Sequence, residues 1–313
     1  MKDITFSELA PSISIVVVTK NRLQYLKNLL ISFNNLNGDL SKIEIIIADN
    51  GSTDGTSPKT LELVRNEVPA HFVTETKIGI NFVRNTGWRA AFGELIAFVD
   101  DDAVLDPDWL IGLRKTYNEF SKNYPIAIYG GRTVLRWKAP CPDWLTDDLK
   151  PWLSCSDYGS KNMVSVNSSF NIVGANFAIS RENLEKIGGF NTALAAYGRD
   201  ERWIEEMIHE MGGATIYAGE ALVFHSVHPE RCTKEWFKNR FYREGVAIRL
   251  YETAKAQMMS QPTCTISKWI LKITIKTFLS FLLSVLTNRR KITNSLNFQL
   301  LKGYYSNLLA KQS

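Results

Sequence analysis

Three consecutive aspartates, Asp100, Asp101 and Asp102, are the residues of this sequence best suited to chemistry. They directly follow the apolar run Leu95–Val99, so they are predicted at the end of a buried strand. Adjacent carboxylates repel one another at low effective dielectric, and a bound cation offsets that repulsion. Because Mg²⁺ or Mn²⁺ also bridges diphosphate oxygens, the cluster is a candidate site for a nucleotide diphosphate. A solvated acidic loop, or a helix cap before Pro107, is the alternative interpretation.

Two other polar segments follow apolar runs in the same way. Thr19–Arg22 follows Ile13–Val18, and Asp49–Ser52 follows Ile43–Ala48. In open α/β sheets, ligands bind beyond the carboxyl ends of the strands. The three polar segments are therefore predicted to converge on one edge of a sheet.

The elements around these segments follow an α/β pattern. Between residues 12 and 131, short β-branched runs alternate with amphipathic stretches, which indicates βαβ units and a mainly parallel sheet flanked by helices. Further on, we expect a strand near Ile172–Ile179, a helix from Arg181 and a helix over Asp200–Met211. The proline- and tryptophan-rich stretch at 137–152 lacks periodicity and is predicted to be an irregular flap. A chain of 313 residues with 45% hydrophobic composition can bury a large core, which excludes a disordered or fibrous protein.

In order and spacing, these features resemble the family 2 glycosyltransferases with the GT-A fold. The resemblance covers about residues 12 to 230, and although each motif is weak alone, the set is specific. The matching segments are Ile15–Arg22, Ile45–Gly55, Gly79, Arg84–Asn85, Gly87, Gly93–Glu94, Phe98–Asp102, Gly174–Asn176, Gly188–Phe190, Asp200 and His225. The fold class that it implies is α/β, with a helical basic tail appended.

The resemblance implies a nucleotide diphosphate sugar as donor. Asp49, Arg84 and Asn85 would contact the base and ribose, and Asp100 would lie near the ribose. The full set of implied donor-binding residues is Thr19, Asn21, Arg22, Asp49, Asn50, Ser52, Arg84, Asn85, Asp100 and Asp101.

A divalent cofactor, Mn²⁺ or Mg²⁺, is also implied by the resemblance. Asp102 would be the direct ligand of the DXD motif. His225 follows an apolar run at the point where the family often places a second ligand, and His228 is its substitute. A lone histidine at a strand end is otherwise most often structural.

Asp200 resembles the family's catalytic base, which deprotonates the acceptor hydroxyl and so inverts the anomeric configuration. The chain departs from the family here, because Arg199 stands where glutamate commonly precedes the aspartate. Glu201 is therefore expected to share or take the role, and capping of the helix is the alternative reading of Asp200. On the acceptor side, the expected contacts are Asn176 and Trp203.

Several other functions fit the sequence less well. No QxxRW motif follows Asp200, which argues against a processive polymerase, and the glycine-free segment Thr19–Arg22 argues against a nucleotidyltransferase. A non-catalytic nucleotide-sugar or polysaccharide-binding protein on the same fold remains the alternative, and Arg199 is the one feature that favours it. We expect a hexosyltransferase-like enzyme of polysaccharide or glycolipid synthesis, acting on a saccharide or lipid-linked acceptor.

The expected organisation is an N-terminal extension (1–11), a catalytic domain (12–230) and a helical C-terminal extension (231–313). The catalytic domain would divide into a nucleotide-binding half (12–131) and an acceptor half (132–230). No secretory signal or membrane span is evident near the start, so a cytoplasmic location is expected.

The C-terminal extension differs in charge from the rest of the chain. Nine Lys or Arg and no Asp or Glu occur after residue 252, although the net charge of the whole chain is only +5. Lys268, Lys272 and Lys276 form one stripe at helical spacing, opposite apolar residues such as Ile270 and Phe278. We expect peripheral contact with an anionic membrane at its inner face and no nucleic-acid partner. Packing on the catalytic domain or dimerisation is the alternative.

Overall fold

The computed structural model describes residues 13–166, 170–194, 199–258, 270–277 and 292–309. The strands are β1 (Ile13–Thr19), β2 (Ile43–Asp49), β3 (Ala70–Thr74), β4 (Leu95–Asp100), β5 (Ala103–Leu105), β6 (Ala127–Trp137), β7 (Met163–Ser165), β8 (Asn176–Ser180) and β9 (Ala214–Val227). The helices are α1 (Leu23–Asn34), α2 (Ile80–Ala90), α3 (Trp109–Phe120), α4 (Arg181–Ile187), α5 (Asp200–Glu210), α6 (Lys234–Met258) and α7 (Ile292–Leu309). Residues 270–277 are also helical.

The strands form one mixed sheet in the order β3-β2-β1-β4-β8-β6-β9-β5, and β7 pairs with β9. Strands β1 to β4 are mutually parallel, whereas β8 runs antiparallel to both β4 and β6. This sheet confirms the predicted α/β class with a mainly parallel nucleotide-binding half.

Alternating side chains of the strands build two cores, one on each face of the sheet. Ile15 and Val17 of β1 pack with α1 and α3, for example with Leu30, whereas Val16 packs on the other face with residues of α2, α4 and α5. All three β1 residues are at most 1% exposed. Full burial of such a side chain is worth about 1.5–3 kcal/mol, so period-two alternation fixes the register of the strand.

The structure extends or shortens several predicted elements. Strand β6 continues to Trp137 and β9 spans fourteen residues, both well beyond the apolar runs that predicted them. Strand β8 begins only at Asn176, later than predicted, because Val173 and Gly174 belong to a turn. The three-residue strand β5 was not predicted.

The chain divides into two compact units. The first comprises described residues within 1–137, 153–195 and 200–226, and the second those within 138–152, 196–199 and 227–313. This division differs from the boundary near residue 230 that the sequence suggested, because the tryptophan-rich stretch 138–152 groups with the C-terminal helices.

Aromatic contacts and close helix packing define the second unit. Trp144 packs edge-on against Phe237, with ring centroids 5.3 Å apart. The ring centroids of Trp152 and Phe241 are 4.0 Å apart. A Cβ on Gly245 of α6 would clash with the backbone carbonyl of Leu300 on α7, so glycine permits this helix contact. Within the described ranges, no helix combines the length and the apolar character needed to cross a bilayer.

Candidate functional site

The carboxyl ends of β1, β2 and β4 bring the predicted polar segments together. Thr19 pairs in register with Asp49, and Val18 pairs with Asp100. Because the three strands are parallel neighbours, their following residues share one edge of the sheet, as expected.

A turn after β4 places the aspartates beside His225. Asp101 and Asp102 form the turn between β4 and β5, and the first residue of β5, Ala103, pairs with His225 of β9. The Ser226 N–H donates to the Asp102 carbonyl oxygen over 3.3 Å. As a result, His225 Nε2 lies 3.3 Å from Asp102 Oδ1, and both side chains are almost fully buried. The unpredicted strand β5 is therefore what joins these two predicted residues.

Arg22 covers the aspartates from the start of α1. Its Nη1 lies 2.6 Å from Asp101 Oδ1, and its Nη2 lies 2.9 Å from Asp102 Oδ2. Thr19 Oγ1 also donates to Asp101 Oδ2 over 2.8 Å. Burial raises the pKa of Asp101 to about 7, although Arg22 opposes the shift. One guanidinium thus lies within hydrogen-bonding distance of two of the three aspartates.

Arg84 of α2 makes contacts that the sequence did not predict. Its side chain is 4% exposed, and its guanidinium carbon lies 5.6 Å and 5.5 Å from the ring centroids of Phe177 and Phe190. Nη1 contacts Asp200 Oδ2 and lies 3.2 Å from Glu201 Oε1. Two of the charged contacts of Arg84 are therefore with carboxylates of the candidate catalytic helix. The expected role of Arg84 in binding the base and ribose gains no support from this arrangement.

Arg84 also reaches the strand end where the donor is expected. Its Nη2 lies 3.6 Å from Asp100 Oδ1, and Asp100 keeps 32% of its side chain exposed. Burial raises the pKa of Asp100, and the positive charge of Arg84 acts against that shift. One guanidinium thus links the aspartate cluster with Asp200 and Glu201.

Gly174 leaves space for this cluster. A Cβ at this position would clash with Glu201 Oε1 and with Arg84 Nη2. A larger residue here would have to displace the ends of these two charged side chains.

Asp200 and Glu201 begin α5 and differ in exposure. The side chain of Asp200 is 3% exposed and that of Glu201 is 19% exposed. Both carry negative charge at a helix N-terminus, where the helix dipole stabilises carboxylates.

Arg199, the departure from the family pattern, belongs to the second unit. Its φ of 65° is in the left-handed region, which is strained for a residue with a side chain. Its Nε donates to Glu244 Oε1 over 2.7 Å, and Arg240 Nη1 donates to Glu244 Oε2 over 2.8 Å. Burial would raise the pKa of Glu244, but the two guanidiniums outweigh it and hold the pKa below its usual value.

Asn50 and Asn85, two of the predicted donor-binding residues, form hydrogen bonds with the protein itself. Asn50 donates to the Glu75 and Lys77 carbonyls, and accepts from the Gly79 N–H, over 2.8–3.0 Å. Asn85 Nδ2 donates to the Phe190 carbonyl oxygen, and Asn85 Oδ1 accepts from the Phe190 N–H. These two side chains hold loops around the site, and their expected donor contacts stay predictions.

Asn176 is also a framework residue in this structure. It is 2% exposed, accepts from Trp109 Nε1 over 2.9 Å and donates to the carbonyls of Arg132 and Ala221. Because both amide hydrogens are used, the expected acceptor contact has no support here. Trp203, the other expected acceptor residue, is 6% exposed.

The loop residues after β1 and β2 bind each other. Asp49 accepts from the Ser52 N–H over 3.0 Å, and Ser52 Oγ accepts from the Asn21 N–H over 2.8 Å. Asn21 Oδ1 in turn accepts from the Thr53 N–H over 2.6 Å. These bonds fix the two loops at the edge of the sheet where the donor is expected.

Asp102 and His225 are the pair best placed to hold a divalent cation. Carboxylate and imidazole are suitable ligands, and the two side chains already face each other. Across the described residues, no three His, Cys, Asp or Glu side chains form a metal-binding group. These residues fit a cation that takes its other ligands from water and donor phosphates, as Mg²⁺ commonly does. His228, the substitute ligand, groups with the second unit.

Comparison with known proteins places the chain among glycosyltransferases. It is 26% identical over 195 residues to the glucosyl-dolichyl phosphate glucuronosyltransferase of Haloferax volcanii, covering 60% of each protein. It is 24% identical over 216 residues to the succinoglycan biosynthesis protein ExoM of Rhizobium meliloti, covering 66% of this chain and 63% of that one. The chain thus spans less than two thirds of either relative.

A solved structure shares the fold. The mannosyltransferase PcManGT from Pyrobaculum calidifontis, in complex with GDP-Man and Mn²⁺, superposes with a TM-score of 0.64 at 18% identity, covering 96% of this chain and 88% of that one. This likeness confirms the expected GT-A fold. The model of the family described as glycosyl transferase family 2 matches residues 14–188, more than half of the sequence. The chain therefore belongs to glycosyl transferase family 2.

Proposed function

We propose that this protein transfers a sugar, with inversion, from a nucleotide diphosphate donor to an acceptor hydroxyl. The observation that carries the proposal is the charged cluster in which Arg84 contacts Asp100 on one side and Asp200 and Glu201 on the other. The strand-end aspartates suit the donor's leaving group, and the carboxylates of α5 suit a base on the acceptor side.

The proposed transfer depends on Mn²⁺ or Mg²⁺ held by Asp102 and His225. When bound, the cation would stabilise negative charge on the departing diphosphate. The resident Mn²⁺ of the PcManGT complex supports this assignment by analogy of fold. Asp100 would lie near the ribose of the donor, as the family resemblance implies.

Asp200 is the proposed base, and Glu201 is its neighbour and alternative. A base must accept the acceptor's proton, and Asp200 presents a carboxylate at the N-terminus of α5, in contact with the guanidinium of Arg84. Glu201 is the more exposed of the two, so it is the better placed to meet a large acceptor. Comparing Asp200→Asn with Glu201→Gln assigns the role.

The proposed acceptor is a saccharide or a lipid-linked sugar in polysaccharide or glycolipid synthesis. The names of the relatives, one acting on a glucosyl-dolichyl phosphate and one in succinoglycan biosynthesis, support this class. The donor can be found without the acceptor, by measuring nucleotide release from a panel of nucleotide sugars with Mn²⁺. We expect slow hydrolysis of one donor, which Asp102→Ala abolishes. Donor binding without any turnover, even with candidate acceptors, would instead favour a non-catalytic binding protein.

We also propose that the C-terminal part contacts an anionic membrane. In the helical segment 270–277, Leu271 and Ile275 are 53% and 52% exposed, and Lys272 and Lys276 are exposed beside them. Apolar and cationic side chains on one face fit the boundary between lipid headgroups and acyl chains. Each lysine near an anionic leaflet contributes about 1 kcal/mol. Lys268 of the stripe and Phe278 of the opposite face lie outside the described residues, whereas Ile270, also expected opposite the lysines, is buried.

Sedimentation with phosphatidylglycerol vesicles tests the membrane contact. We expect binding at low salt that weakens at high salt, and that falls when Leu271 and Ile275 are both changed to serine. Phe298→Ser removes an equally exposed apolar side chain from α7 and serves as control. Equal loss of binding in the control would contradict a specific role for this segment.

A further inference from the structure

Arg22 occupies the carboxylates that the proposed function assigns to metal and donor. Its two terminal nitrogens lie 2.6 Å from Asp101 and 2.9 Å from Asp102, whose side chains are 2% and 3% exposed. Arg22 itself is 33% exposed. The guanidinium thus supplies positive charge to two buried anions, which is the electrostatic role of a bound cation.

One carboxylate oxygen of Asp102 is bound by Arg22, and the other faces His225. Oδ2 accepts from Arg22, and Oδ1 lies 3.3 Å from His225 Nε2. A cation held by Oδ1 and His225 would therefore lie close to the guanidinium on Oδ2 of the same carboxylate, and the two positive charges repel each other at such short range.

We propose that Arg22 stands in for the divalent cation in the donor-free protein, and that it is released to bind the donor's diphosphate. The inference rests on the proposed metal site and extends it. Metal and nucleotide should consequently bind together, because the nucleotide offers Arg22 a new anionic partner. Arginine binds phosphate oxygens with two parallel hydrogen bonds, so after the exchange both terminal nitrogens would again have an anionic partner.

The backbone around Arg22 is fixed while its side chain is long enough to change partners. The Leu26 N–H donates to the Arg22 carbonyl oxygen over 3.0 Å, and the Leu23 N–H donates to Asp54 Oδ2 over 2.8 Å. The guanidinium carbon lies 4.9 Å from the ring centroid of Tyr25, which provides an apolar surface beside its present position. In the proposed exchange these backbone bonds would hold the start of α1 while the side chain of Arg22 changes partner.

Titration with Mn²⁺ alone, followed by the electron paramagnetic resonance signal of the free ion, tests this role. We expect Arg22→Gln to bind Mn²⁺ about tenfold more tightly than the wild type, within the usual range of coupling between bound groups. Arg22→Lys keeps the charge but loses the fork, so its affinity should lie between the two. Lys20→Gln removes the same charge two residues away and should leave Mn²⁺ affinity within about twofold of the wild type.

A second titration in the presence of UDP or GDP measures the coupling. Nucleotide should strengthen Mn²⁺ binding more in the wild type than in Arg22→Gln, because the variant has no guanidinium to relocate. Thermal unfolding of each variant confirms that the protein titrated is folded.

Two results would overturn the inference. Equal or weaker Mn²⁺ binding by Arg22→Gln would show that Arg22 does not compete with the cation. Failure of every variant to bind Mn²⁺ measurably would also contradict the inference. The double variant Arg22→Gln/Asp102→Ala separates this failure from that of the metal site itself. If the double variant binds Mn²⁺ as tightly as Arg22→Gln, the cation binds elsewhere and the proposed site is wrong.

Discussion

Replacing Arg84 with methionine should strongly destabilise the protein. The change keeps an apolar side chain between Phe177 and Phe190 but removes the charge that Asp100, Asp200 and Glu201 share. A charge pair at about 4 Å is worth about 4 kcal/mol at an effective dielectric of about 20. Removing one partner of a buried pair costs about 3–5 kcal/mol, because the other charge stays buried without compensation.

We expect Arg84→Met to lose about 3–5 kcal/mol of unfolding free energy, which corresponds to a fall in Tm of roughly 6–20 °C. Urea unfolding followed by circular dichroism measures the loss. Arg89→Met is the matched control, since Arg89 is exposed on the same helix and stacks on Trp88 at 5.0 Å. Arg89→Met should lose less than about 1 kcal/mol of unfolding free energy.

A double-mutant cycle identifies the cause of the loss. If repulsion among the remaining carboxylates is responsible, adding Asp200→Asn to Arg84→Met should recover stability, so that the double variant loses less than the sum of the single variants. Additive losses, within about 0.5 kcal/mol, would refute the charge argument and leave packing as the explanation.

Three further predictions concern the proposed chemistry and the second unit. Asp102→Ala should abolish Mn²⁺-dependent nucleotide binding, because it removes the carboxylate that faces His225; calorimetry with and without Mn²⁺ shows this. Asp200→Asn should bind donor normally and lose roughly 10²- to 10⁴-fold in transfer rate, the usual contribution of a positioned base, in a single-turnover assay. Glu244→Gln should destabilise the protein more at pH 7 than at pH 3. The pKa of Glu244 is held below its ordinary value of 4.5, so its contribution is present above that value and is lost as pH falls through the depressed pKa. Urea unfolding at both pH values measures the difference, and an equal loss at pH 3 and pH 7 would contradict it.

The strand ends could be predicted from sequence because their signals are local. The β-branched run before Thr19 predicts a buried strand and the residue at which it ends. The apolar run before Asp100 does the same. Parallel pairing then brings those ends together without further information. The family resemblance and the fold class follow from the same local segments.

The partners of Arg84 could not be predicted in this way. Arg84 and Glu201 are 117 positions apart, and nothing in the sequence around either residue specifies the other. Their contact depends on how α2 and α5 share one face of the sheet, a tertiary result of packing. Gly174 carried a weak signal, since a glycine before a strand suggests close approach, but the approaching groups proved to be Arg84 and Glu201.

Strand β5 was missed because three residues give too short a pattern to separate from a turn. Its identity comes from its partner, since Ala103 to Leu105 become a strand by pairing with His225 to Val223. Only the assembled sheet reveals that this short pairing sets the geometry of the aspartate turn.

The pairing of β5 with β9 also determines when the site can form during synthesis. Asp102 leaves the ribosome early, together with the parallel strands that surround it, whereas its partner His225 lies near the end of the last strand. Contacts between such distant positions carry a large loop-closure cost and form late in folding. A nascent chain that ends before β9 therefore has its nucleotide edge without His225. The proposed ligand pair of Asp102 and His225 is therefore complete only when the sheet is complete.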